Sequence, residues 1–200
     1  MSISNTQVSA AKRPYRLGQR ALKQEQTRQR IVEAAVELHS TLGPARTTVA
    51  QIAERAGVQR HTYYAHFPDE RGLFLACSGL ALERDPLPEV EQWRSLTPGA
   101  ERLRVGLEQI HGWYSRNAEQ AACVLRDAEY HTLTRETVEL RMKPVFDQAA
   151  EMLSEGLPQR SLPLLALALD FASWRILSRH HDPGSSARLM AEAILGLSDR

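Results

Sequence analysis

Apolar residues recur every three to four positions along most of the chain, and no alternating pattern of the kind a strand needs stands out. From about Glu25 to Leu42, Ile31, Ala34, Ala35, Leu38 and Leu42 form a stripe, which predicts a first amphipathic helix ended by Gly43-Pro44. Val49, Ile52, Ala53 and Ala56 share one face of a second, short helix. Thr47 and Thr48 supply hydroxyls to cap it, and Thr48 with Gln51 fits a capping box. Gly57 stands where that helix should stop, because glycine tolerates the left-handed backbone such a stop needs. Val58 can then plug the space before a third helix, expected from Gln59 or Arg60 to Phe67 and closed by Pro68. Two short helices joined by a tight turn make a helix-turn-helix, whose second helix can enter the major groove of DNA. Asp69 is a good N-cap for a fourth helix that turns Leu73, Phe74, Cys77, Leu80 and Ala81 inward.

Pro86 and Pro88 bracket a break, and beyond it the pattern stays helical. Leu103, Val105, Leu107, Ile110 and Trp113 or Tyr114 mark a helix from Pro98 to about Ser115. Asn117 with Gln120 suggests a second capping box, opening a helix to about Tyr130. A long helix from about Thr132 to Leu157 contains Pro144, so a kink or break is expected near Arg141. Residues 161–178 carry only Asp170 and Arg175 as charges, and their apolar positions keep to no single stripe. A helix apolar on nearly all sides must be buried on several of them, either as the centre of its own domain or against a second copy of the chain. Ser185 or Ser186 is the expected cap of a last helix through Leu197.

Charge divides the chain where the break does. Residues 1–84 hold 12 Lys and Arg against 7 Asp and Glu, a net +5, whereas residues 85–200 hold 13 against 17, a net −4. The basic half contains the helix-turn-helix, the asymmetry expected when one end of a protein meets phosphate. Residues 1–24 contain no acid and carry Lys12, Arg13, Arg16, Arg20 and Lys23. That composition is shared by transit peptides, but the reading adopted is a flexible basic arm. The predicted organisation is therefore an arm at 1–24, a helix-turn-helix domain at 25–85 and a C-terminal helical domain at 86–200. No run of eighteen apolar residues calls for a membrane span, and Cys77 and Cys123, far apart and outside any CxxC, suggest a reducing, cytoplasmic setting.

From Arg28 to Leu73 the chain resembles the TetR family of one-component transcription regulators. The resemblance rests on Ile31 with Ala34-Ala35, Gly43, Thr47-Thr48-Val49, Ile52-Ala53, Ala56-Gly57-Val58, Thr62, Tyr64, His66-Phe67 and Leu73, all at the right spacing without gaps. It implies an all-α fold, with an N-terminal three-helix helix-turn-helix DNA-binding domain followed by a helical ligand-binding and dimerisation domain. It further implies a homodimer, here through 161–178 and 185–197, on a partly palindromic double-stranded DNA operator, with repression the more usual mode and a small-molecule effector. The chain departs from the family at Gln59, where a serine N-cap is common, at His61, where a small residue is common, and at His39, which replaces an aromatic. At Glu70 a phosphate-contacting lysine is frequent; Arg71 beside it is a candidate substitute.

The candidate DNA-binding residues are Thr47, Thr48, Gln59, Arg60, His61, Thr62, Tyr64 and His66. Arg60 is suited to bidentate contact with guanine and Gln59 to adenine, while Tyr64 and His66 match the family's backbone-contacting positions. Tyr63 is read as partly core. Trp113, Tyr114, Arg126, Tyr130, Phe146, Phe171 and Trp174, with Cys123, are candidates to line an effector site, because such sites combine apolar walls with a few polar groups. His111, His131 and Arg141 are further polar candidates. No catalytic motif, metal-ligand spacing, phosphate loop or cofactor signature is recognised, so neither an enzyme nor a membrane protein is expected. The competing reading is a helical protein-interaction module, or a regulator without a small-molecule effector.

Overall fold

A computed structural model describes residues 12–198, and side chains within its terminal helices from 18 to 197. Among these residues the regular structure is entirely helical. The N-terminal part comprises α1 (Lys12–Thr41), α2 (Val49–Arg55), α3 (Arg60–His66) and α4 (Glu70–Arg84). A second group follows: α5 (Ala100–Arg116), α6 (Ala118–Ala128), α7 (Thr132–Arg141), α8 (Lys143–Ser154), α9 (Leu162–Leu169), α10 (Phe171–Leu177) and α11 (Pro183–Ser198). Short 3-10 turns occupy Pro44–Arg46, Val90–Ser95 and Gln159–Ser161. No described helix is long and apolar enough to cross a membrane.

Several boundaries follow from local chemistry. Thr48 and Gln51 form the expected capping box, each side chain accepting from the other residue's backbone N–H. Gly57 takes φ 64° at the turn, and Asp69 caps α4 by accepting from the Gly72 N–H at 2.7 Å. Pro144 falls in the first turn of α8, where its missing N–H costs nothing, and the predicted long helix is broken at Met142.

Other expectations need correction. The helix predicted from Glu25 begins at Lys12, so residues 12–24 are helical backbone rather than a flexible arm; residues 1–11 lie outside the described residues. Residues 18–26 are exposed and have no buried stripe, but Gln, Arg, Ala, Leu and Lys are good helix formers, and Pro14 sits in the first turn. Residues 161–178 are divided at Asp170, whose carboxylate accepts from the Ser173 N–H at 2.7 Å and starts a new helix. Asn117 forms no capping box, because its amide donates instead to Asp85 and to the Trp113 carbonyl. The cap of α11 is Asp182, which accepts from the Ser185 N–H, while Ser186 is fully buried against His111.

Two cores result. Ile31, Ala35, Ile52, Ala53, Tyr63, Phe67, Leu73 and Cys77 hold α1 to α4 together. The larger core surrounds α5, whose Leu103, Leu107 and Ile110 are buried, and α11 lies along it with Ala187, Ala191 and Ile194. The two parts meet where α1 packs on α6 and α4 on α7, with the Pro44–Arg46 turn also against α6.

Candidate nucleic-acid interface and the seam behind it

The interface is built on α3. Tyr63 and Phe67, 1% and 3% exposed, anchor one side of this helix in the N-terminal core. The opposite side then presents Gln59, Arg60, His61 and Tyr64 to solvent, with Thr62 and His66 half-buried. Arg60 enters none of the ion pairs of the described residues. Gln59 makes no capping hydrogen bond, as its departure from serine suggested, which leaves its amide to reach outward. The Tyr64 ring stands edge-on to Tyr63 at 5.3 Å, and Arg28 lies over the Phe67 ring at 5.1 Å, so both sides of α3 are braced.

The two threonines have local duties. The Thr47 hydroxyl donates to the Gly43 carbonyl at 2.8 Å, and that of Thr48 to Gln51 Oε1 at 2.9 Å. Their protons are engaged in shaping the turn before α2. Arg71 is not a free substitute for a phosphate-binding lysine, because it pairs with Glu136 of α7 at 2.6 Å. Glu70 lies in the first turn of α4, where a negative charge favours the helix dipole.

The stretch of α1 around Arg20 and Lys23 runs beside α3. Gln19, Arg20, Lys23, Gln24 and Thr27 face His61, Thr62, Ala65 and His66 across an open cleft. Deleting residues 1–22 should weaken DNA binding several-fold and reduce the slope of log K against log salt by about 0.9 for each phosphate that the shortened protein no longer neutralises. An unchanged slope in a salt titration contradicts this.

Behind the interface, the seam between the two parts encloses a cavity of about 90 Å³. Val36 and His39 of α1, Phe74 and Cys77 of α4, Trp113 of α5, Ala121 and Val124 of α6, and Thr134 and Val138 of α7 line it. A more open groove of about 640 Å³ lies elsewhere, walled by Tyr114, Arg126, Phe146 and Phe171. Four of the effector candidates thus share the groove, and the others lie outside it. Trp113 lines the seam cavity, while Trp174 packs into the core against Phe171, with ring centroids 5.6 Å apart. Tyr130 is exposed and lines neither space. Cys123 also lines neither, and its thiol points at the Thr41 carbonyl. His111 is held between Ser186 and the Ala168 carbonyl, and His131 caps α7 through Thr134, so both are engaged structurally.

Burial pushes His39 down to about 4, with Asp127 opposing and His131 adding to that shift. Its ring lies 5.2 Å from that of Phe74, and Nδ1 lies 3.5 Å from Cys77 Sγ. The Cys77 thiol is itself pushed up to about 12 by burial, so it is not a reactive nucleophile.

Sequence reasoning missed the residue that ties the seam together. Asp127, with 0% exposure, accepts from the Ala45 N–H at 2.9 Å, the Tyr130 hydroxyl at 2.7 Å and Arg126 Nε at 2.8 Å. Burial acts to raise its carboxyl, but these donors outweigh it and hold the group below the usual aspartate value. One sequence signal was available: Asp127 stands in the last turn of α6, where the helix dipole disfavours an acid.

Residues 31–77 match the pattern of the bacterial regulatory proteins, tetR family. Over that stretch the chain is similar to the tetR family. It is similar to the HTH-type transcriptional regulator AcrR of Shigella flexneri, 44% identical over 57 residues, or 28% of this chain and 26% of that protein. It is also similar to the HTH-type transcriptional regulator SrpR of Pseudomonas putida, 47% identical over 47 residues, 24% of this chain and 22% of that one. The match thus spans about a quarter of the length of these curated relatives. At the level of fold the likeness reaches past residues 31–77. A TetR-like transcriptional regulator from Rhodococcus sp. RHA1 superposes with TM-score 0.63 at 20% identity, over 87% of this chain and 97% of that one. FadR from Bacillus subtilis, solved with stearoyl-CoA, gives 0.57 at 19% identity over 83% and 96%.

Proposed function

We propose that this protein is a sequence-specific DNA-binding transcription regulator, a homodimeric repressor released from a partly palindromic operator by a small molecule. The observation that carries this reading is the solvent face of α3, where Gln59, Arg60, His61 and Tyr64 stand exposed within the stretch similar to the tetR family. Side chains at the start of such a helix reach base edges, and a guanidinium can bind guanine O6 and N7 together. Arg60→Ala should therefore cost about 1–3 kcal/mol on the operator and relax base preference at one position. Titration of operator and unrelated DNA at one salt concentration tests this; an equal loss on both assigns Arg60 to phosphate instead.

Dimerisation is supported by apolar side chains that the single chain leaves outside. Leu167 of α9, Ile176 of α10 and Leu189 of α11 remain 53%, 61% and 42% exposed. Exposed apolar side chains on the last helices suit a two-fold interface, and a two-fold dimer matches a palindrome.

An effector is supported by the seam cavity, whose walls come from both parts of the chain. An occupant that fits one relative arrangement of the two parts better than another shifts the protein towards that arrangement, and only that difference in affinity can release DNA. The structure of FadR of Bacillus subtilis with stearoyl-CoA lends this reading support from a protein of similar fold.

A further inference from the structure

The turn that launches the helix-turn-helix is fastened to the other half of the molecule by one buried carboxylate. Asp127 belongs to α6, yet its Oδ2 accepts from the backbone N–H of Ala45, 82 residues away in sequence. Ala45 lies in the Pro44–Arg46 turn between α1 and α2. The approach is close enough that a Cβ on Gly43 would lie 2.4 Å from Oδ2. Arg126 adds a second strut, donating to the Leu42 carbonyl at 3.2 Å. Downstream, the Gly43 carbonyl receives the Thr47 hydroxyl, and Thr48 caps α2. Hydrogen bonds on the backbone of residues 42–48 therefore tie α6 to the turn that leads into α2.

This arrangement is costly for a merely decorative contact. A fully buried acid at a helix C-terminus loses water and opposes the dipole, so it persists only where all its oxygens are satisfied. Two of its donors, Arg126 and Tyr130, lie on the same side of the seam, and the third, Ala45, lies across it. The asymmetry makes the carboxylate a rigidly held peg on α6 that receives the turn. We infer that Asp127 is a positioning residue for DNA recognition, setting the pose of α2 and α3 relative to the body that would carry the dimer interface.

The inference rests on the proposed DNA-binding function, and the test separates the two. An operator is first recovered with the wild-type full-length protein from random DNA. Asp127→Ala, Asp127→Asn and Tyr130→Phe are then titrated against that operator, against the same half-sites with spacing changed by one base pair, and against unrelated DNA. Asp127→Ala should lose tenfold or more on the operator, change less than twofold on unrelated DNA, and discriminate less between spacings. Asp127→Asn should lose less than Ala, and Tyr130→Phe, changed at an exposed ring, about two- to fivefold. Hydrogen exchange at the Ala45 amide should quicken in the same order. Operator affinity and spacing preference within twofold of wild type, with a faster Ala45 amide, overturn the inference, as does an equal loss on operator and unrelated DNA. Should Asp127→Ala not fold, the other two variants decide by the same criteria. A wild-type protein that selects no DNA defeats the functional reading itself, whatever Asp127 does.

Discussion

Gly43→Ala should destabilise the protein by about 4 kcal/mol, combining ~1–3 kcal/mol of backbone strain with ~1–3 kcal/mol of overpacking. Gly43 adopts φ 97° and ψ 150°, a region essentially reserved for glycine. The added methyl would also meet Asp127 Oδ2 at 2.4 Å and Arg126 Nη2 at 2.5 Å. Arg126 has a movable end, but Asp127 is fully buried and held by three donors, so the clash is not relieved by a simple swing. For a protein of this size the loss amounts to roughly 8–16 °C in melting temperature. Gly18→Ala is the matched control: it lies exposed within α1, has a negative φ, and its added Cβ has nothing within 4 Å. That change should be neutral or slightly stabilising, by up to ~1 kcal/mol. Denaturant unfolding of both variants checks the pair, and a Gly43→Ala loss below about 1 kcal/mol would contradict the close approach at the seam.

The second large effect is a dependence on pH. His39 titrates at about 4 in the folded protein against 6.5 when unperturbed, chiefly because it is buried. The depressed value means that the unfolded chain binds a proton before the folded one does. His39 therefore has no adverse effect above the unfolded value, and stability falls as pH drops from about 6.5 towards 4. Each unit of difference is worth about 1.4 kcal/mol, so lowering the pH from 7.5 to 4.5 should cost ~2 kcal/mol through this residue alone. The groups that bear on it are Asp127, which favours the charged form, and His131, which opposes it. His39→Phe keeps an aromatic ring beside Phe74 and removes the proton site. The variant's stability should decline less by that amount over the same range. Parallel curves for variant and wild type would show that His39 is not the titrating group.

The features legible in the sequence are those fixed by neighbours along the chain. The Thr48–Gln51 box, the Gly57 stop and the Asp69 cap each depend on residues within a few positions, and all are found. Pro144 breaks its helix for an equally local reason. Asp170 was visible too, but the run of apolar residues around it masked its capping role. Asn117 shows the converse: its sequence suggests a cap, and a distant Asp85 claims its amide. Arg71 is likewise claimed by Glu136 across the seam.

Tyr114, Arg126, Phe146 and Phe171 share one groove, while Trp113, Tyr130 and Trp174 lie outside it, because aromatic identity does not say which face of a bundle a ring will occupy. Tyr114, Phe146, Phe171 and Trp174 pack largely on one another. The seam cavity instead draws His39, Phe74 and Thr134 from helices far apart in sequence. Asp127 was hidden for the same reason, since its partner at Ala45 is a backbone N–H that no side-chain pattern reports.

The central claim is that the exposed face of α3 reads base sequence as half of a symmetric pair. Unbiased selection from random duplex DNA with the full-length protein tests it most directly. The account predicts an enriched inverted repeat with fixed half-site spacing, bound by two chains, and a preference for guanine at one position that disappears in Arg60→Ala. Recovery of no enriched sequence, or of a single asymmetric site bound by one chain, would contradict it.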